Sequence, residues 1–173
     1  GPALTAEIWD GEYYDARLPL PESEKESYTW ITAEKSGDFK GKIIEPEGPP
    51  IRVRRNLCRR PQSAVVHKGS DSDGSEFGSI HVLARRDGEG CEKGLLKAGE
   101  NMILDMGQNM VGRPKITLRA SEGTVIKVFF AEFLNDSGES SRGNDGPRGS
   151  MYIMNYRSAL SRVVYIASGK GME

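Results

Sequence analysis

A chain of 173 residues, 36% apolar and 28% charged, suits one domain or one domain with a small appendage, and it can bury a sizeable core. Its 24 basic and 25 acidic side chains nearly cancel, so no strong field favours nucleic acid or an anionic membrane surface. The 21 glycines and 9 prolines favour a turn-rich β protein over a helical bundle, and no apolar run approaches the roughly 18 residues of a membrane span.

In chain order, no charged-then-apolar leader opens the sequence, and Gly1 with Pro2 reads as a remnant of tag removal. Residues 5–10 alternate weakly and predict an edge strand turning at Gly11. Residues 19–27, rich in Pro, Glu and Ser, read as an exposed connector. Residues 28–32 are strongly β-prone. Pro49 and Pro50 stop regular structure before a predicted strand at 51–54, and short strands follow at 64–67 and 79–85. Between the last two lies an acidic tract, 68–78. Its Asp71-Ser72-Asp73-Gly74 fragment has the alternating acids of a calcium loop, but it lacks the spaced glutamate and flanking helices, so a solvated hairpin tip is expected.

The apolar run at 102–106 ends at a polar corner, Gly107-Gln108-Asn109. Residues 115–120 alternate polar and apolar as a half-buried strand does, and 124–134 form a longer, β-branched and aromatic strand. Ile116, Leu118, Val125 and Val128 are the expected core residues. Residues 139–150 hold almost no apolar side chain and read as a long loop that either carries binding groups or stays mobile. Strands are predicted again at 151–154 and 163–167. Many short strands between turn signals indicate an all-β sandwich or barrel.

The chemistry-bearing residues are sparse. Cys58 and Cys91 are expected as free thiols, a single bridge being the alternative in an oxidising compartment. His67 and His81 are scattered, so no zinc site is assigned. No G-x-S-x-G elbow or phosphate-cradling glycine loop is present. Sugars are bound by amides, carboxylates and guanidinium groups that bond adjacent hydroxyls in pairs, often beside an aromatic face. Gln108 and Asn109 on the corner, Glu132, and Asn155 with Arg157 have that chemistry if their segments adjoin. The competing reading is structural: a buried Gln-Asn corner that satisfies backbone groups, and a Glu132–Arg157 ion pair across a sheet. Trp9 and Trp30 are either stacking platforms or core.

Four segments in order carry a resemblance. They are D-G-E-Y-Y-D-A-R at 10–17, P-P-I-R-V at 49–53, D-M-G-Q-N-M-V-G at 105–112 with F-A-E-F-L-N-D-S-G at 130–138, and N-Y-R-S-A at 155–159. Together they resemble the β-sandwich domain ahead of the catalytic domain in bacterial α-L-rhamnosidases, glycoside hydrolase family 78. The resemblance implies an antiparallel jelly-roll β-sandwich over 49–173, with 1–48 as an N-terminal arm and connector, and Tyr13, Tyr14 and Asp15 tying that arm down. It implies a carbohydrate site of L-rhamnose type at Asp105, Gln108, Asn109, Asn155 and Arg157, in some members with a bridging calcium ion. The family's catalytic carboxylates sit in a separate helical domain that nothing here resembles, so no catalytic residue is assigned. The implied partners are a rhamnose-containing glycan and a downstream catalytic domain, in the periplasm or outside the cell, with the cytoplasm as alternative. Hydrolysis by the chain itself, through an acid pair such as Asp105 and Glu132, is the competing function; a purely structural scaffold is the third. Residues 55–97 run longer than in that family and are expected to hold an extra hairpin. The family's sandwich goes on to a further strand beyond the equivalent of Glu173, so the chain is expected to be an excised piece.

Overall fold

The computed structural model describes residues 1–20, 32–35, 37 and 40–173. Most of the predicted connector at 19–27, and all but one residue of the predicted strand at 28–32, Trp30 included, lie outside them. The described residues form seven strands: β1 (Ala3–Glu7), β2 (Gly11–Asp15), β3 (Ser63–Asp71), β4 (Ser79–Asp87), β5 (Asn101–Asp105), β6 (Val125–Phe129) and β7 (Arg162–Ile166). They build a two-sheet, all-β sandwich with sheet orders β1-β2-β7-β6 and β4-β3-β5. One pairing departs from the antiparallel expectation, because β2 runs parallel to β7 while every other pair is antiparallel. The long excursion from β2 to β7 allows this, since parallel neighbours need a distant connection.

The core is thin and made of small or β-branched side chains. Ala64 and Val66 alternate inward along β3, Ile80 is buried on the neighbouring β4, and Val164, Ile166 and Ala167 are buried around β7. The N-terminal arm enters the four-stranded sheet directly. Tyr14 stacks on Tyr165 with ring centres 5.7 Å apart. Asp15, 6% exposed, is held by Arg17, whose Nε and Nη2 donate to its two carboxylate oxygens at 2.9 and 2.7 Å. That fork supplies the partner a buried carboxylate needs and holds Asp15 below the usual carboxylate range.

A hydrogen-bonded seam ties the β3–β4 turn to residues 133–151, which follow β6. Ile80 N donates to Arg148 O at 3.1 Å, Arg148 N to Gly78 O at 2.9 Å, and Phe77 N to Gly138 O at 3.0 Å. Gly138 has φ +70°, and a Cβ there would lie 2.5 Å from Gly78 O, so the seam closes only on glycine. The expected hairpin tip is part of this seam. Asp73 accepts from Ser75 Oγ at 2.5 Å and pairs with Arg148 at 3.2 Å, while Asp71 bonds His81.

Four predicted strands are corrected. Residues 51–54 form none: Pro49 and Pro50 bring no N–H to a ladder, and Ile51 and Val53 stand exposed before a 3₁₀ turn at Arg55–Leu57. Residues 115–120 also lie outside any strand; among the described residues their backbone hydrogen bonds are the two that Leu118 and Glu173 exchange, at 2.9 and 2.8 Å. The strand at 124–134 ends at Phe129, and 151–154 gives a bridge at Met151 and then a 3₁₀ turn, Met154–Tyr156. Among the expected core residues, Leu118 and Val128 are half-buried, but Ile116 is 49% and Val125 51% exposed. Val125 shares the outward face of β6 with Lys127 and Phe129, while Ile126 and Val128 turn to the other face. Ile126, Val128, Val163 and Tyr165 instead line, with Ile116 and Leu118, an apolar cleft of about 450 Å³ under the 112–118 segment.

Candidate functional site

Residues 133–135 pair with 149–152. Tyr152 N donates to Phe133 O at 3.1 Å, Asn135 N to Ser150 O at 2.8 Å, and Gly149 N to Asn135 O at 2.8 Å. Phe133 and Tyr152 stack with ring centres 5.1 Å apart, a favourable cross-strand pair. Glu132 precedes this ladder on one side and Asn155 follows it on the other. They meet: Asn155 Nδ2 donates to Glu132 Oε2 at 3.2 Å, with both side chains exposed. Tyr156 lies half-buried beside them, its phenol pushed up by burial and by the negative charge of Glu132. A carboxylate, an amide and a phenol thus share one accessible patch. Leu160 N donates to Trp9 O at 2.7 Å, tying the 56% exposed Trp9 to the far end of the same segment.

The other expected site residues do not join this pair through any contact among the described residues. Asp105 ends β5 in the three-stranded sheet, and its Oδ1 accepts from Gly107 N at 2.7 Å, which makes the turn. Gln62 packs against the Gly107 backbone, leaving no room for a side chain there. Gln108 and Asn109 are exposed, so they are not a buried corner that satisfies backbone groups. Arg157 is exposed at φ +58° and makes no ion pair with Glu132 among the described residues; the carboxylate bonds Asn155 instead. The candidate acid pair is separated in the same way, Asp105 in one sheet and Glu132 beyond β6 of the other.

Sequence reasoning missed the polar cluster behind the patch. Asn135 is 3% and Asn144 9% exposed. Asn135 Nδ2 donates to Asp145 Oδ1 at 2.8 Å and Ser150 Oγ at 2.9 Å, while its Oδ1 accepts from Asp145 N at 3.0 Å. Asn144 Oδ1 accepts from Asp136 N at 2.8 Å, and its Nδ2 donates to Asp136 Oδ1 at 2.9 Å and Ser137 Oγ at 2.8 Å. The signal was available: two Asn-Asp pairs, at 135–136 and 144–145, in tracts with no apolar residue to bury them. Among the described residues no cluster of three or more His, Cys, Asp or Glu is arranged to hold a metal ion. Cys58 is exposed and Cys91 buried, both free, with Cys91 Sγ 3.4 Å from Pro61 O.

Comparison with known proteins agrees with this β architecture. The family model for the bacterial alpha-L-rhamnosidase concanavalin-like domain matches residues 96–173. An alpha-L-rhamnosidase of Formosa agariphila is 29% identical over 99% of the chain, and one of Streptomyces avermitilis 24% identical over 100% of it. A third, from an Alteromonas species, is 34% identical over 42% of the chain. The chain spans only 14%, 13% and 7% of those three proteins' lengths. No solved structure gives a significant match. The chain is thus similar to a small part of each of these α-L-rhamnosidases, and its residues 96–173 match their concanavalin-like domain, in keeping with a jelly-roll β-sandwich.

Proposed function

We propose that this unit is a non-catalytic module of an α-L-rhamnosidase-like glycoside hydrolase in the periplasm or outside the cell, and that it contacts a rhamnose-containing glycan. The observation that carries this is the exposed Glu132–Asn155 pair at 3.2 Å beside Tyr156. A carboxylate and an amide held side by side match two vicinal hydroxyls, one as donors and one as acceptor, and the phenol adds an apolar flank. Catalysis is assigned to the rest of the enzyme, because Asp105 ends β5 and makes its own turn with Gly107, while Glu132 lies beyond β6 and bonds Asn155 instead. Exposed Trp9, Phe133 and Met154, on or tied to the same segments, suit packing against a neighbouring domain as a second contact of the module.

Calorimetric titration of the chain with L-rhamnose and rhamnosyl oligosaccharides, with and without Ca²⁺, tests the reading. Binding is expected, and Glu132→Gln or Asn155→Ala should each weaken it roughly five- to thirty-fold, the loss of one or two neutral hydrogen bonds. Absence of heat with every sugar rejects the glycan contact and leaves the packing role.

A further inference from the structure

Glu132 and Asn155 lie on two different segments, so their spacing must be set by whatever joins those segments. We propose that Asp145 is the positioning residue of the pair, an inference that rests on the glycan-contact reading for its functional meaning but not for its geometry. Its carboxylate reaches both sides at once. Oδ1 accepts from Asn135 Nδ2 at 2.8 Å, three residues beyond Glu132. Oδ2 accepts from Ile153 N and Met154 N, both at 2.9 Å, immediately before Asn155. These last two bonds satisfy free backbone donors at the start of the Met154–Tyr156 turn, the turn that carries Asn155. Asp145 N donates in return to Asn135 Oδ1 at 3.0 Å, which clamps the residue's own backbone to the Glu132 side. Asp145 itself is half-buried.

The carboxylate is required, not merely a polar side chain of that shape. All its partners are N–H donors: an amide on one oxygen, two backbone groups on the other. An asparagine offers one acceptor and one donor, so whichever way it is turned it sets an N–H against an N–H. Asn144 is the natural control. It lies in the same loop, but among the described residues its side chain bonds only Asp136, Ser137 and Glu139, so it reaches no residue on the Asn155 side and bridges nothing.

The experiment compares wild type, Asp145→Asn, Asn144→Ala and Glu132→Gln by the side-chain amide NMR signal of Asn155, assigned by its loss in Asn155→Ala, and by sugar titration. Asp145→Asn is expected to move the Asn155 signal towards its position in Glu132→Gln and to weaken the sugar roughly five- to thirty-fold. Asn144→Ala should lower the melting temperature while leaving both readouts in place. An Asn155 signal unmoved by Asp145→Asn overturns the proposal, and so does an equal displacement by Asn144→Ala. If the wild type binds no sugar, the glycan reading falls, and the NMR comparison alone decides the positioning role. Should Asp145→Asn not fold, Asp145→Ser removes the bridge without opposing two donors and is read in the same way.

Discussion

Two glycine-bearing tracts on either side of β6 each behave against their composition. Residues 106–120 end in the strand-like alternation of 115–120, yet they are almost wholly exposed and outside any sheet. Residues 136–150 look like a featureless polar loop, yet they hold a hydrogen-bonded Asn-Asp cluster around buried Asn135 and Asn144 and the seam with the β3–β4 turn. The difference is one of partners. A strand exists only where a neighbour completes its ladder, and 115–120 meets only the Leu118–Glu173 exchange. A loop orders where its own short polar side chains replace that ladder. Apolar pattern therefore overstated one tract, and polar composition understated the other.

The largest expected break of this contrast is Asn135→Ala. It strips partners from Asp145 N, Asp145 Oδ1 and Ser150 Oγ together. Each buried group left unbonded costs about 1–3 kcal/mol, so a loss near 3 kcal/mol and a melting temperature lower by about 6–12 °C are expected in a circular-dichroism melt. A shift under about 2 °C would mean that the loop is no better tied than 106–120.

Acid should act on the same tract next. Hydrogen bonds from Asn144, Ser75 and Ser140 hold Asp136, Asp73 and Glu76 below the usual carboxylate range. A depressed carboxylate adds stability that is complete above its unfolded value and is lost as the pH falls through its folded one. The melting temperature should therefore drop below about pH 4. His67 works in the same direction from about pH 6.5 downwards, because burial lowers its affinity for a proton that the unfolded chain takes up. Melts at pH 7, 5 and 3 test this, and Asp136→Asn should flatten the lowest step. A melting temperature constant to pH 3 would reject it.

The smallest effect sharpens the other side. Asn109→Ala, on the exposed corner, should change stability by no more than about 0.5 kcal/mol and leave the melt unmoved within about 2 °C. It should also leave any sugar affinity at Glu132 and Asn155 as it was. A clear loss of binding with Asn109→Ala would restore the corner as part of the site.

What the chain's own pattern determined is the β class, the family likeness, and the strands whose alternation coincides with a real neighbour: β3 and β4 around Ala64, Val66 and Ile80, and β7 through Val164 and Ile166. It also picked out Glu132 and Asn155 by chemistry, while placing them with Asp105, Gln108, Asn109 and Arg157, which the fold does not join to them. Tertiary structure alone decided that β2 runs parallel to β7, that Val125 faces outward on an edge, and that Asp145 bridges the segments of the patch. The physical reason is range. Side-chain alternation and turn chemistry act over a few neighbouring residues and can be read along the chain, whereas the partners of a strand edge or a buried carboxylate come from residues brought together only by folding.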